Sequence, residues 1–402
     1  MKIYLNKKNI LIFIGILILA SYQFQIYWIP SSVRDNVLYV EGDFFQRFFI
    51  KIFGLLTLFL GLINAFSLRI FLYNFTIKIP LLYYVAKVII LIPIFLSKDY
   101  PYTSEHILAI NFILFTPLLF INFYGEKGDE LFLKLIKIII WTVCIQLLID
   151  LLIKLFNFHL VTTILGGMGN ANTFGLHMII AALGLRFIYR NQFLSNIILI
   201  LTWGTGSLMC ALISSFLFLQ SLIIFFLKRP IIVLSTLTCV VITLIILFIF
   251  GFNLLSVIIE FEPVIHVLKK TSELMMGNAD NVLVRINFIK ETWKLLEENP
   301  LSIIFGHPNL LSFWTGDGFF LTFLGTLGLP ALLLFVISNF YLFYGGIIKK
   351  TPLNQFASYT IIVYMSFFSA NRILDYWPSG LIYLLVFNYL SRKDEYLYRK
   401  QR

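Results

Sequence analysis

Along most of this chain, Leu, Ile, Phe and Val continue for about 18 residues or more before polar residues interrupt them. Coiled as a helix, a run of that length crosses a hydrocarbon layer of about 30 Å. Backbone in such a layer must satisfy its own hydrogen bonds, which only helices and closed barrels do. The two-residue alternation of barrel strands is missing from the sequence. The pattern therefore predicts an all-α polytopic membrane protein of about twelve transmembrane helices. Their centres fall near Leu17, Leu58, Ile89, Phe115, Ile145, Ala181, Leu199, Phe216, Thr243, Leu332, Tyr364 and Val386. Only WGTGS separates the runs around Leu199 and Phe216, which read either as two short spans or as one long broken one.

One polar stretch departs from this rhythm, roughly Asn253 to Gly318. Within it, VLVRINFIKETWKLLEEN has the helical period. Ile286, Ile289, Trp293 and Leu296 step along one face, and Asn287, Glu291, Lys294 and Glu298 along another. This predicts an amphipathic helix ended by Pro300, lying at a membrane surface or packed on the tops of the spans. No internal repeat or low-complexity linker divides the chain. The expected organisation is one integral membrane domain, 1–402, with residues 253–318 as its large extracytoplasmic loop.

Composition narrows the function classes. The 402 residues are 59% hydrophobic and only 13% charged, with mean hydropathy +0.90, which no soluble domain of this length matches. The net charge of +11 would point to nucleic acid in a soluble protein. Here Lys2, Lys7, Lys8, Arg69, Lys78, Lys127, Lys134, Lys137, Arg186, Arg190, Lys228, Arg229, Lys349, Lys350 and the five basic residues after Ser391 fall in alternate segments. That bias orients both termini to the cytoplasm, and no nucleic-acid partner is expected. The first apolar run follows Lys7 and Lys8, has no small-residue cleavage site and reads as a retained span. Cys144, Cys210 and Cys239 lie inside apolar runs, as buried inert thiols do.

Polar residues that lipid would reject cluster in three places. ILGGMGNANTFGLH, residues 164–177, offers glycines for close backbone approach and the amides of Asn170 and Asn172. Equally, it reads as a turn with Asn172 as helix N-cap. GHPNLLSFWTGDGFF, residues 306–320, places Asp317 at the start of an apolar run and His307 ten residues earlier. Either side chain suits a proton acceptor, while Asp317 also suits a helix cap. ANRILDYWP, residues 370–378, pairs Arg372 with Asp375 locally or offers Arg372 to a phosphate. Lys87 falls mid-span, where a charge costs about 2.5–3.5 kcal/mol, and could pair with Asp150 near Lys154. No P-loop, HExxH, acid-rich metal motif or GxSxG elbow is present, so neither an ATP-driven pump nor a metal or cofactor site is expected.

Three motifs in order resemble the Wzy-type polymerases of the O-antigen polymerase and O-antigen ligase family. They are GGMGNANTFG, then Arg285 followed by Trp293 and ENPLSIIFGH, then GDGFFLTFLGTLGLPALLLF with Asp317, Leu321, Leu324 and Gly328 on the family's spacing. The resemblance covers Gly166 to Phe335. Ligases of the family place a histidine where Asp317 stands, and an acidic residue followed by small ones is commoner in polymerases. The family often starts a following span with a Ser-Arg pair. Here Ser207 precedes Leu208, and Arg372, Lys269 or Lys270 would have to substitute.

The resemblance implies a GT-C-like glycosyltransferase acting on the outer face of a bacterial cytoplasmic membrane. Its substrates would be undecaprenyl-diphosphate-linked oligosaccharide repeat units, joined into O-antigen or capsular polysaccharide. A chain-length regulator and a flippase are further expected partners. Arg285 and then Arg372 are the candidates to take charge on the leaving diphosphate. Asp317, with His307 as the alternative, is the candidate base for the acceptor hydroxyl. Asn170, Asn172, Trp314 and Tyr376 are expected to hold sugars. The alternatives are a ligase with another acceptor, and a flippase of lipid-linked oligosaccharide.

Overall fold

The structure is a computed structural model of the chain. It describes residues 7–21, 44–68, 75–95, 112–156, 164–166, 170–228, 262–275, 287, 289–291, 293–294, 296–306, 318–369, 374 and 378–400. The helices are α1 (Lys7–Ser21), α2 (Phe44–Leu62), α3 (Phe75–Phe95), α4 (Gly125–Phe156), α5 (Ala171–Phe187), α6 (Gln192–Leu201) and α7 (Leu208–Lys228). They continue as α8 (Glu262–Met275), α9 (Pro300–Phe305), α10 (Phe319–Leu327), α11 (Leu329–Ile348), α12 (Pro352–Phe368) and α13 (Ser379–Lys400). The described residues form no strand beyond one isolated bridge, Phe66 to Ile121. The fold is all-α.

Two helices, α4 over Gly125–Ile153 and α11, are long and apolar enough to cross a membrane. Shorter apolar stretches lie in α2, α5, α6, α7 and α13. Several helices leave one apolar face uncovered. On α11, Leu333, Ile337, Phe340, Tyr341 and Tyr344 are half or more exposed, while Ala331, Phe335, Asn339, Leu342 and Gly346 on the other side are buried. Phe49, Phe53, Leu56 and Leu60 make the same stripe on α2, and Leu212, Phe216, Leu219 and Ile223 on α7.

Most expected span centres fall within helices, and Thr243 lies outside the described residues. Phe115 is different. The helix there stops, and Thr116–Phe120 form a 3-10 turn containing Pro117, followed by extended Ile121. Pro117 cannot donate within a helix, so the turn's carbonyls need other partners. Buried Lys78 donates to Leu119 O at 3.1 Å, and the Asn388 amide donates to Leu118 O and Ile121 O at 2.9 and 3.0 Å. The Leu199 and Phe216 runs resolve into two antiparallel helices. Gln192, at the start of α6, donates to Ser221 Oγ at 2.6 Å, and Trp203 to Ser215 Oγ at 3.1 Å. Between them a 3-10 turn ends at Gly206, in the left-handed region at φ 68°.

The residues gather into two compact units. One holds α1 to α3, α4 as far as Thr142, and α9 to α13; the other holds α4 from Val143 and α5 to α8. In the first, the apolar run that follows Gly318 is not one helix: α11 begins only at Leu329. Nine-residue α10 precedes it and folds back. In one continuous helix Phe323 and Phe335 would stand about 18 Å apart, yet their rings stack at 4.8 Å. Phe319, Phe368 and Tyr84 complete this aromatic cluster. The reversal turns on Gly328, at φ 87°.

Short α9 packs against this turn. A Cβ at Gly328 would lie 2.3 Å from Ile304 O, and one at Gly306 (φ 80°) 2.1 Å from Thr326 O. Both positions thus need glycine twice over, for the left-handed backbone and for the close approach. Gly306→Ala is expected to remove folded protein from detergent extracts, while Ser302→Ala, in the same helix, leaves its yield unchanged; fluorescence-detected size exclusion measures both.

Candidate functional site

In the first unit, described residues bordering two segments singled out by the sequence lie together. Gly318 is the N-cap position of α10, extended at φ −95° and ψ 129°, and supplies no side-chain cap. A Cβ there would lie 3.2 Å from Ser369 O, just past the end of α12. Gly318 and Ser369, the described residues next to the segments 307–317 and 370–373, therefore lie side by side. Thr322 Oγ1 donates to Gly318 O at 3.0 Å and fixes this first turn. Of the two readings of Asp317, proton acceptor and helix cap, the cap is not met: the cap position is one residue later, at Gly318. Asp317, His307, Trp314, Arg372 and Tyr376 lie outside the described residues, and so does Arg285.

The amphipathic stretch is helical at its described positions between 287 and 298. Ile289 and Trp293 on its apolar face are half exposed, and Leu296 is buried. The helix stops where expected, but Pro300 also starts the next one. Asn299 caps α9, its Oδ1 accepting from Leu301 N at 3.2 Å, and Pro300 takes a first-turn position that has no donor to lose.

Lys87, for which an ion pair with Asp150 was one reading, donates to Phe305 O at 3.3 Å, the last carbonyl before Gly306. Its ammonium also stands 5.9 Å from the centre of the Tyr83 ring. Helix α9 thus ends against a cation, the favourable polarity for a helix C-terminus.

The second unit holds the glycine-asparagine segment. Buried Asp150, on α4, accepts from the N–H groups of Leu165 and Gly166 through Oδ2, at 2.9 and 2.8 Å. Ile164 N donates to Gly204 O at 2.7 Å, tying the segment to the turn between α6 and α7. Asn170, not Asn172, caps α5: it is extended, and its Oδ1 accepts from Thr173 N at 3.1 Å. Helix α5 starts at Ala171, so Asn172 falls within its first turn. There Asn172 Oδ1 accepts from the Ser207 hydroxyl. Ser207 Oγ accepts in turn from Cys210 N at 3.3 Å, and a Cβ at Gly175 would touch Cys210 Sγ at 2.4 Å. Cys144 and Cys210 are free thiols.

These contacts give both asparagine carbonyl oxygens a local partner. They also identify two residues the sequence undervalued. Ser207, noted only for lacking a following arginine, joins α5 to α7. Asp150 fixes the backbone of the glycine segment; the available signal was a lone carboxylate in an apolar run shortly before a glycine pair rich in backbone donors.

No protein-family model, curated protein or solved structure matches the chain.

Asp150→Ala is expected to destabilise the protein by about 1–3 kcal/mol for each of the two N–H groups it orphans. Asp150→Asn keeps an acceptor oxygen and should recover most of that loss. Thermal melting of the purified protein in detergent compares the two; equal melting of wild type and Asp150→Ala contradicts the assignment.

Proposed function

We propose that this chain is a multi-pass membrane glycosyltransferase that polymerises undecaprenyl-diphosphate-linked oligosaccharide units on the outer face of a bacterial cytoplasmic membrane. The ordered motifs from Gly166 to Phe335 carry the reading. Two structural facts support it. Uncovered apolar stripes on α2, α7 and α11 suit lipid as their surroundings. The contact of Gly318 with Ser369 brings the attachment points of the Asp317 and Arg372 segments together.

The chemistry follows from the substrates. The acceptor hydroxyl oxygen attacks the anomeric carbon of the donor, forming the new glycosidic bond. The bond from that carbon to the diphosphate oxygen breaks, and undecaprenyl diphosphate leaves with the electron pair. Asp317 accepts the hydroxyl proton. Arg285 receives the charge on the leaving diphosphate through two parallel N–H donors, with Arg372 as a second cation. Exposed Trp293 and Ile289 on the amphipathic helix suit a membrane surface as their surroundings.

Deleting the gene and separating surface polysaccharide by size tests this function. Polymerase loss leaves single repeat units on the cell surface. Accumulated polymer on lipid would identify a ligase, and absence of all surface glycan a flippase.

The topology has its own test. Ser272, exposed on α8, lies in the segment expected outside. In a background without native cysteines, Ser272→Cys should react with a membrane-impermeant maleimide in whole cells, and Lys349→Cys only after lysis. The reverse pattern overturns the orientation.

A further inference from the structure

Lys87 stands at the thirteenth of the 21 positions of α3, deep in an apolar helix. Among the described residues no carboxylate pairs with it, and its one hydrogen bond is to Phe305 O. An ionisable residue kept inside a membrane helix calls for a partner. The level of its ammonium indicates which. Phe305 follows Ile304, whose carbonyl touches Gly328, the residue immediately before α11. The 20 residues of α11 are about 30 Å long, the thickness of the hydrocarbon layer. The Lys87 ammonium, reaching up from mid-helix, therefore lies at one boundary of that layer, where lipid phosphates sit. Its hydrogen-bond partner, Phe305, is the residue immediately before Gly306.

We infer that Lys87 is a phosphate-binding residue, receiving the diphosphate of a prenyl-linked glycan as its lipid tail enters beside α3 and α9. The identity of this ligand rests on the polymerase reading. An ammonium has three donors; Phe305 O takes one, and two can point at phosphate oxygens. A lysine suits this task because it acts as a point charge on a flexible stem, and so can hold a diphosphate before and after the glycan leaves.

The test uses purified full-length protein in phosphatidylcholine nanodiscs, with undecaprenyl diphosphate as the probe. Lys87→Gln keeps a donor for Phe305 O but loses the charge; Lys87→Arg keeps the charge. Dissociation constants are measured by native mass spectrometry, alongside melting temperatures. The expected result is about 10–100-fold weaker binding in Lys87→Gln, the worth of one charge-assisted hydrogen bond, with Lys87→Arg close to wild type. Unchanged affinity in Lys87→Gln overturns the proposal; a lowered melting temperature with that unchanged affinity would make Lys87 a clamp on Phe305 only. Adding phosphatidylglycerol separates the two phosphate sources. If it displaces the probe from wild type but leaves Lys87→Gln unaffected, ordinary phospholipid occupies the site and the substrate assignment falls. Lys87-dependent binding in a protein that forms no polymer would uphold this site and remove the polymerase reading.

Discussion

Arg285→Ala is expected to abolish surface polymer while the protein stays in the membrane at its normal level. The leaving diphosphate gains charge as the glycosidic bond breaks, and a fixed donor aimed at developing charge is worth roughly 10²–10³ in rate. Arginine adds a planar fork that meets two phosphate oxygens at once, which an ammonium cannot copy. Arg285→Lys should therefore rescue poorly. Gel separation of lipid-linked glycan with parallel immunoblots reads both variants. Full polymer in Arg285→Lys would show that a point charge suffices, and full polymer in Arg285→Ala would remove the residue from the site.

Asp317→Asn should lower turnover by roughly 10²–10⁴, the usual contribution of a positioned general base. The substitution keeps size and polarity and removes only the ability to take the proton, so the Michaelis constant for the lipid-linked substrate should change little. The structure sharpens this experiment. Asn and Asp are nearly equal helix caps, but the cap position of α10 belongs to Gly318. A large loss in Asp317→Asn is then a loss of chemistry. Turnover near wild type would transfer the role of base to His307.

The helical class was legible because long apolar runs with no alternation admit one backbone solution in lipid. Places where the chain departs from regular helix were not. Pro117 lies in an apolar run that hydropathy alone continues through; the 3-10 turn persists because Lys78 and Asn388, distant in sequence, supply its carbonyls with donors. The turn at Gly328 was equally hidden, since GTLGLP is as apolar as its flanks and only the stacking of Phe323 on Phe335 reveals the fold-back.

Of the candidate site, the sequence offered segments rather than contacts. Polar residues between apolar runs singled out the segments 306–320 and 370–378, and the described residues at their edges, Gly318 and Ser369, lie in contact. A helix start was read here with Asn172 as its cap, but Asn170 takes that position, because a cap is chosen by backbone conformation and α5 begins one residue earlier than Asn172. An ion pair between Lys87 and Asp150 was one reading open to the sequence. Each instead holds backbone groups beside a motif segment, Phe305 O in one case and the Leu165 and Gly166 N–H groups in the other.

The most direct test is reconstitution. Purified wild-type protein in nanodiscs is given undecaprenyl-diphosphate-linked repeat units as its only glycan, and products are resolved by size. The account predicts a ladder of lipid-linked oligomers, with one undecaprenyl diphosphate released for each new bond and neither a nucleotide nor an added metal required. Repeat units that remain single under these conditions, while the protein is folded and binds them, would contradict it.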